Sequence, residues 1–232
     1  MSFSHPALNA PPPPDWQGLL AVGLDRLRDI RAYGWYFAVT IGLSVLTGVL
    51  SQRGVLGSIV SLALGLVGLY AWLVLARQFM TGRLAPEPFD VPNTARLCGV
   101  GMLFLFGLGI VAGIIFMLPL SEPLKFRVVV GLTVAAFAAF VIRTAFYVPA
   151  LALGDPTSVG RSLGQSGPYW KSLTAVFVIV GGGGVVINLA VERLGLPWVI
   201  QSLVEGFVGA FGTIPTLAAV CFLYWRHVRP SV

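Results

Sequence analysis

The residues of this chain that could carry out chemistry are few, and most lie in a short polar stretch between two apolar runs. Ser166 stands in the motif GQSG of Gly164–Gly167, a GxSG pattern in which some intramembrane proteases hold a nucleophilic serine. A serine nucleophile needs a general base within hydrogen-bond reach and an oxyanion hole. His227 follows the last apolar run and His5 precedes the first, so we expect neither to reach Ser166. The sequence therefore predicts a surface loop at Ser166, with no enzyme activity, no cofactor and no metal site.

Three cations accompany the same polar stretch. Arg143 lies near the end of the fourth apolar run, and Arg161 and Lys171 follow it. A charged side chain inside a membrane span is a candidate for function, because burial in hydrocarbon costs free energy. In one interpretation Arg143 reaches the membrane surface and bonds loop carbonyls or Asp155. In the other, Arg143 binds a lipid phosphate together with Arg161 and Lys171, which predicts a site for anionic headgroups.

The composition indicates an all-α membrane protein. Of the 232 residues, 56% are hydrophobic and only 10% are charged, and the mean hydropathy is +0.87. One soluble core of this size cannot bury so much apolar surface. The net charge is +6, but the basic residues are spread between apolar runs. This distribution suits membrane topology and anionic lipids as partners, rather than nucleic acid.

Six apolar runs reach the length of about 20 residues that a helix needs to cross the hydrocarbon core. They cover 34–52, 55–76, 97–118, 126–149, 172–191 and 198–225. Basic residues are more frequent on the side that carries both termini, so the positive-inside rule places the N- and C-termini in the cytoplasm. The prediction is a polytopic protein with six transmembrane helices in one membrane domain, 34–225.

Short segments flank and separate these runs. Residues 1–14 contain four consecutive prolines and are predicted to form a disordered tail, and 226–232 a cytoplasmic tail. Residues 15–33 place apolar residues on one helical face after the cap residue Asp15, which predicts an interfacial amphipathic helix. The alternative is that this face packs on the protein's own loops. A second surface helix is predicted near 156–166, after Asp155 and Pro156.

Two loops share aspartate, proline, a small polar residue, arginine and glycine in one order. They read DVPNTARLCG before the third run and DPTSVGRSLG before the fifth. With Asp15 in a comparable place, they predict three helix-hairpin repeats, each a cytoplasmic surface helix followed by a span out and a span back. Chance similarity is the alternative, because turn chemistry enriches aspartate, proline and glycine in loops.

The layout and one local pattern resemble a known family. The local pattern is carried by Arg143, Pro149, Ala150, Arg161, Ser162, Ser166 and Trp170. Together with an amphipathic N-terminal segment and six spans, it resembles the glycerophosphoryl diester phosphodiesterase membrane-domain family and related uncharacterised bacterial inner-membrane proteins. The resemblance implies a multi-pass module of the bacterial inner membrane that lacks the separate phosphodiesterase domain and takes part in membrane-lipid homeostasis.

Four consecutive glycines, Gly181, Gly182, Gly183 and Gly184, fall in the middle of the fifth run. Glycine is a poor helix former in water, but hydrocarbon resists local melting because it offers no partners to open backbone groups. The glycines therefore predict close packing on a neighbouring helix, and Pro215 predicts a kink in the sixth run. A fifth helix broken at the glycines, in a small-solute transporter, is the alternative.

The function expected from the whole sequence is non-catalytic. It is an accessory or scaffolding subunit of a membrane complex, or a factor in membrane-lipid organisation. The expected partners are anionic membrane lipids and other membrane-protein subunits.

Overall fold

The computed structural model describes residues 15–51, 54–82, 91–119, 121–155 and 158–229. Over these residues the chain forms helices and turns but no β-strand, so the all-α prediction is confirmed for the described part. The tail 1–14 that we predicted to be disordered lies outside the described residues, as do Pro156 and the last residues of the predicted cytoplasmic tail, 230–232.

Nine α-helices follow one another along the described residues. They are α1 (Trp16–Asp25), α2 (Gly34–Ser51), α3 (Gly54–Thr81), α4 (Val91–Met117), α5 (Glu122–Arg143), α6 (Tyr147–Leu153), α7 (Val159–Ser166), α8 (Trp170–Arg193) and α9 (Trp198–Leu223). Three further helical segments join or extend them. They are two 3₁₀ segments, Arg26–Tyr33 and Gly167–Tyr169, and a π-helical turn, Tyr224–Val228.

Five helical segments of the described chain are long and apolar enough to cross a membrane. They are Trp16–Leu50, Ala63–Thr81, Pro92–Met117, Val159–Arg193 and Trp198–Val228. A sixth crossing forms only if Arg127–Arg143 and Tyr147–Leu153, which are bent by 41° relative to each other, count as one span. The chain therefore has the helices of a multi-pass membrane protein.

The predicted fourth span, 126–149, is not one straight helix. α5 ends at Arg143, and the next residue, Thr144, leaves the helical conformation with φ −99° and ψ 11°. The N–H and the hydroxyl of Thr144 both bond the carbonyl of Phe140, at 2.8 and 2.7 Å. Pro149 explains the break, because proline offers no N–H to the carbonyl four residues earlier and its ring crowds that carbonyl. Within α6, proline stands in the first turn, where no intrahelical N–H bond is required.

α9 packs closely against α2. Ser202, Gly206 and Ala210 recur every four residues on α9, and all three are buried. A Cβ placed on Gly206 would stand 2.6 Å from the Cα of Ile41, so the two backbones meet without a side chain between them. Nearby, a Cβ on Gly48 of α2 would stand 2.7 Å from the Ser202 hydroxyl oxygen. Small residues at this spacing allow membrane helices to approach each other.

α1 packs against α8 and α9. Leu19 is fully buried, and a Cβ on Gly23 would overlap the carbonyl oxygen of Pro215 in α9. We predicted that the apolar face of this segment lies on a membrane interface or, alternatively, packs on loops of the protein. In the structure, part of this face packs against the helices α8 and α9. The interfacial position of this segment stays a prediction.

The first helix is also shorter than predicted. Asp15 caps it as expected, because its Oδ1 accepts the N–H of Gly18 at 2.8 Å. The helix ends at Asp25, however, and not near residue 33. A 3₁₀ segment follows, in which Asp29 leaves the helical conformation with φ −97° and ψ 39°. This kink separates α1 from α2.

The three predicted repeats differ in their helices. Short separate helices precede α2 and α8, but α4 begins at Val91 and continues through the polar residues of the second loop. Pro92 stands in the first turn of α4, where the missing N–H of proline is tolerated. From Val91 onward the second copy therefore has no surface helix separate from α4, and the repeat itself stays a prediction.

The buried core is concentrated in one region of the bundle. We call this region the packed end and define it by residues 71–80, 142–155, 158–176 and 210–229, which hold most of the buried apolar side chains. Elsewhere large apolar side chains lie on the surface. Leu103 and Phe106 of α4, for example, are 74% and 71% exposed. In a membrane protein such faces contact lipid or other helices.

We expect Gly206→Ala to destabilise the protein. The new methyl group would meet the α2 backbone at Ile41, which cannot move as a flexible side chain does. Overpacking of this kind costs about 1–3 kcal/mol, and the midpoint of thermal unfolding in detergent should fall. Gly209→Ala is the matched control, because its methyl group would lie 3.8 Å from Thr40 Cγ2, at ordinary contact distance. Equal midpoints for the two variants would contradict the close α2–α9 contact.

Candidate functional site

The turn after α6 positions the acidic residue of the packed end. Gly154 has a φ of +71°, a left-handed conformation that glycine adopts without strain. Its N–H bonds the carbonyl of Leu151 at 3.1 Å, and the N–H of Asp155 bonds the carbonyl of Ala150 at 2.9 Å. These two bonds form a Schellman motif, which ends the helix and reverses the chain. Asp155 is thereby directed toward the end of α9.

Asp155 binds the C-terminal segment. Its Oδ2 accepts the hydroxyl proton of Tyr224 at 2.9 Å and lies 3.3 Å from Arg229 Nε, while its Oδ1 accepts from Arg229 Nη2 at 3.4 Å. The guanidinium of Arg229 also stands 4.4 Å from the ring centroid of Trp225. The start of the predicted free tail, 226–232, is therefore held against the protein as far as Arg229. The segment is held in one position because the planar guanidinium of Arg229 contacts both carboxylate oxygens of Asp155.

This cluster was not predicted from the sequence. We expected Asp155 to bond Arg143 or to cap the following helix. The structure instead pairs Asp155 with Arg229, and Ser158 caps α7, accepting the N–H of Arg161 at 3.2 Å. Arg229 lies 74 residues after Asp155. An interaction across such a distance in sequence leaves no local pattern to detect.

Arg143 lies at the end of a helix rather than within one. It is the last residue of α5, where a positive charge interacts favourably with the helix dipole. Its side chain is exposed, and its Nη1 comes within 4.0 Å of the Cβ position of Gly167. Its carbonyl accepts the hydroxyl proton of Ser166 at 2.7 Å. The junction between α7 and α8 therefore packs on the end of α5.

Ser166 is buried, not in the surface loop that the sequence predicted. It is the last residue of α7, with no exposed surface, and its hydroxyl lies 2.7 Å from the Arg143 carbonyl and 3.1 Å from that of Leu163. The ring of His227 packs 6.1 Å from the ring of Tyr169. The Ser166 hydroxyl therefore joins α7 to α5 by bonding backbone carbonyls.

The other two predicted lipid-binding cations are also exposed. Arg161 lies on α7 and is close enough to Tyr224 to interact with it electrostatically. Lys171 lies in the first turn of α8, with its Nζ 6.0 Å from the ring centroid of Trp170. Trp170 itself is 47% exposed. An exposed tryptophan beside a lysine is typical of residues at a membrane–water interface.

Within the described residues only Gly184 of the Gly181–Gly184 run lies against another helix, so the close packing predicted for the whole run stays a prediction. A Cβ on Gly181, Gly182 or Gly183 would meet nothing within 4 Å, and one on Gly184 would lie 3.4 Å from Val208. The helix nevertheless continues through the glycines, from Trp170 to Arg193, so the break that a transporter would need is not observed. Hydrocarbon favours an intact helix here because it offers no partner to open backbone groups. Pro215, predicted as a kink, lies within α9 and is buried against α1.

Gly181 and Gly184 also border a cavity. The cavity has a volume of about 760 Å³ and lies between α3, α4, α8, α9 and the junction of α5 with α6. Its wall is mostly apolar, and Asn188 is one of the few polar residues in it. Glycines in the wall leave open volume where larger side chains would fill the space.

A second, smaller opening lies between α2, α3 and α9. Its volume is about 400 Å³, and Ser44, Thr47, Ser202 and Glu205 line it. Glu205 is exposed. Among the described residues, no group of three or more histidine, cysteine, aspartate or glutamate side chains is arranged to hold a metal ion.

Comparison of the chain with protein-family models, with curated protein sequences and with solved structures finds no match. The fold of the described part of the chain defines the class: an all-helical protein with five or six helices that are long and apolar enough to cross a membrane. The features that mark a site within this class are the exposed cations of the packed end and the apolar cavity.

We expect Asp155→Ala to release the C-terminal segment and to lower stability. The ion pair with Arg229 is mostly buried, with side chains 17% and 22% exposed. Loss of its charge-assisted hydrogen bonds should cost about 1.5–3 kcal/mol in the free energy of unfolding. The measurement is the midpoint of thermal unfolding in detergent, together with protease sensitivity of the C-terminal segment.

Asp25→Ala is the control for this variant. Asp25 pairs with Arg28 at 3.0 Å, but the two side chains are 62% and 87% exposed. Exposed pairs of this kind contribute between about 0 and 1 kcal/mol. If Asp155→Ala were no more harmful than Asp25→Ala, the bond between Asp155 and the C-terminal segment would have no structural role.

Proposed function

We propose that this chain is a non-catalytic membrane protein that organises anionic lipid at one surface of a bacterial inner membrane, with both termini on the cytoplasmic side. Helices of membrane length support the multi-pass arrangement. The distribution of basic residues supports the orientation. We further propose that the chain is related to the glycerophosphoryl diester phosphodiesterase membrane domains, on the pattern from Arg143 to Trp170.

The observation that carries this proposal is the placement of charge at the packed end. Asp155 already bonds Tyr224 and Arg229 through both of its carboxylate oxygens. Arg143 and Lys171 are exposed on the same part of the protein, beside the exposed ring of Trp170. Their charge is directed outward, where it is available to an anionic partner. A guanidinium suits phosphate because it donates two parallel hydrogen bonds.

The proposal assigns Arg143, Arg161 and Lys171 to lipid headgroups. Arg143 contributes from the end of α5, Arg161 from α7 and Lys171 from the first turn of α8. Ser166 holds α7 against α5 through its bond to the Arg143 carbonyl. The three cations therefore belong to helices that are joined to one another, and they would meet one lipid surface together.

We expect Arg143→Ala to reduce the amount of anionic lipid that remains bound after gentle extraction. A hydrogen bond to a charged group contributes about 1.5–3 kcal/mol, so retention of one phosphate should fall about tenfold or more. Native mass spectrometry of the protein, reconstituted with phosphatidylglycerol and phosphatidylethanolamine, measures the retained lipid. Arg161→Ala and Lys171→Ala should lower it in the same direction.

Arg193→Ala is the matched control. Arg193 is an exposed arginine at the C-terminal end of α8, whereas Lys171 lies at the N-terminal end. We do not assign Arg193 to the lipid site. Its variant should retain as much phosphatidylglycerol as the unaltered protein. Equal retention in Arg143→Ala and Arg193→Ala would exclude the assigned headgroup site.

An accessory subunit is the second candidate function, and the surface of α4 favours it. The exposed side chains follow one another at helical spacing along this helix. They are Leu103, Phe106, Ile110, Ile114 and Met117. Such a face suits a neighbouring membrane helix as well as lipid. The same mass spectra would identify a co-purified chain at fixed stoichiometry, which would favour the accessory role.

A further inference from the structure

Four polar side chains line the smaller opening, which lies between α2, α3 and α9. Ser44 and Thr47 stand three residues apart on α2, and Ser202 and Glu205 stand three residues apart on α9. Residues at this spacing share one face of a helix. Each of these two packed helices therefore presents two oxygen-bearing side chains to the same opening, and together they supply one carboxylate and three hydroxyl groups.

The opening lies within apolar segments and away from the packed end. All three of its helices belong to segments that are long and apolar enough to cross a membrane. Glu205 is the eighth residue of α9, which places it roughly 10 Å from the start of the helix at about 1.5 Å per residue. On α3 the opening involves residues 64–68, which precede the packed end at 71–80. A charged side chain in such a segment is a candidate for a binding site, because it is costly without a partner.

The polar groups of the opening have no partner among the described residues. The carboxylate of Glu205 forms neither an ion pair nor a hydrogen bond with them, and the three hydroxyl groups form no hydrogen bond with them either. Ser202 is only 7% exposed. Thr40, on the same helix as Ser44, behaves differently and donates to the carbonyl of Tyr36 at 2.8 Å. A buried hydroxyl and a carboxylate that both lack partners, in one opening, indicate a ligand.

Glycines give the opening its shape. A Cβ on Gly48 would stand 2.7 Å from Ser202 Oγ, so the hydroxyl of Ser202 reaches α2 directly after Thr47. On the other side, α3 contributes Gly65 and Gly68 to the wall. A Cβ on Gly65 would meet nothing within 4 Å. The wall at α3 therefore leaves room beside the oxygen atoms of α2 and α9.

The chemistry of the opening selects a cation that carries hydrogen-bond donors. A carboxylate attracts positive charge, and hydroxyl oxygens accept hydrogen bonds. An ammonium group of the –NH₃⁺ type presents three N–H donors and no acceptor. A trimethylated ammonium group carries the same charge but has no N–H to donate. Leu43 and Leu64 also line the opening, and they suit the carbon atoms attached to the nitrogen.

We propose that the smaller opening binds a primary ammonium group. The Glu205 carboxylate balances its charge and accepts one N–H, and the hydroxyl oxygens of Ser44, Thr47 and Ser202 accept the others. An amine-bearing lipid headgroup and a free alkyl amine both offer this chemistry. The site is separate from the headgroup cations of the packed end and takes a ligand group of the opposite charge.

The first test compares two lipids that differ only in methylation of the nitrogen. The full-length protein in detergent receives equal amounts of phosphatidylethanolamine and phosphatidylcholine with identical acyl chains, and native mass spectrometry measures the ratio of the two bound lipids. We expect about tenfold more phosphatidylethanolamine, because only this lipid donates hydrogen bonds to the charged acceptor. Glu205→Leu should make retention of the two lipids equal.

Glu192→Leu is the matched control for Glu205→Leu. Glu192 is an exposed glutamate in the last turn of α8 and does not line the opening. Its variant should keep the preference for phosphatidylethanolamine. A loss of the preference in both variants would assign the effect to negative charge in general, and it would overturn the site.

A second pair of probes tests a free amine. Octylammonium and octyltrimethylammonium chloride are titrated into delipidated protein, and calorimetry measures their affinities. A preference for phosphatidylethanolamine assigns the ammonium group to a lipid headgroup. A preference for octylammonium, with equal retention of the two lipids, assigns it to a free amine. Either preference should disappear in Glu205→Leu.

The hydroxyl groups are tested by a change that keeps the shape of the side chain. Thr47→Val removes one acceptor from the opening and should lower the preference for the primary ammonium several-fold. Thr40→Val is the control on the same helix, because the Thr40 hydroxyl bonds the Tyr36 carbonyl and does not line the opening. Equal preferences in these two variants would contradict the role of the hydroxyl groups.

Equal retention of the two lipids, together with equal affinity for the two alkyl ammonium ions, would overturn the proposal. A preference that survives in Glu205→Leu would overturn it as well. Arg143→Ala should leave the ratio of the two lipids unchanged, and Glu205→Leu should leave the retention of phosphatidylglycerol unchanged. The ammonium site and the headgroup cations can therefore fail independently of each other.

Discussion

The contact of the α9 backbone with α1 and α2 is the constraint on which the rest of the described structure depends. At Gly206 the Cα of Ile41 occupies the space that a side chain would take, and at Gly23 the Pro215 carbonyl does the same. Two neighbouring helices are therefore fixed along one central helix without intervening side chains. Dispersion contacts at such short range contribute stability that the hydrophobic effect cannot supply between helices in lipid.

This arrangement determines where the core lies and where it does not. The C-terminal half of α9 packs against α1, α3 and α8, and most of its residues from Ile214 to Leu223 are buried. α4 takes little part in this core. Because α4 packs on α3 and α5 and makes little contact with α9, the volume between α4, α8 and α9 stays open. The same feature that leaves apolar faces exposed therefore also creates the cavity beside Gly181 and Asn188.

The packed end adds a second constraint, made by polar groups. The Schellman turn at Gly154 directs Asp155 toward Arg229, and the Ser166 hydroxyl joins α7 to the end of α5. Neither interaction contributes an exposed negative charge. Arg143, Arg161 and Lys171 are exposed at this end of the protein. The proposed headgroup surface depends on these exposed cations.

Much of the helical layout was predictable from local pattern. Apolar runs of about 20 residues predict membrane-length helices, and an aspartate before an apolar stretch predicts a cap, which Asp15 forms. Pro149 indicates a bend after Arg143. The continuous apolar run on both sides of Pro149, however, predicts a single span. The Gly181–Gly184 run predicts a packing surface because glycine often serves that role in membranes. Composition alone does not state whether a neighbouring helix is present.

The sequence by itself determined that the chain is helical and apolar enough to cross a membrane several times, because these properties follow from residues close together along the chain. Only the tertiary structure decided which glycines meet a backbone and which border a cavity, since Gly206 and Gly181 differ in what lies opposite them. It also decided that Asp155 pairs with Arg229 rather than with Arg143. These contacts depend on the relative positions of helices that are far apart in sequence, and no local periodicity records them.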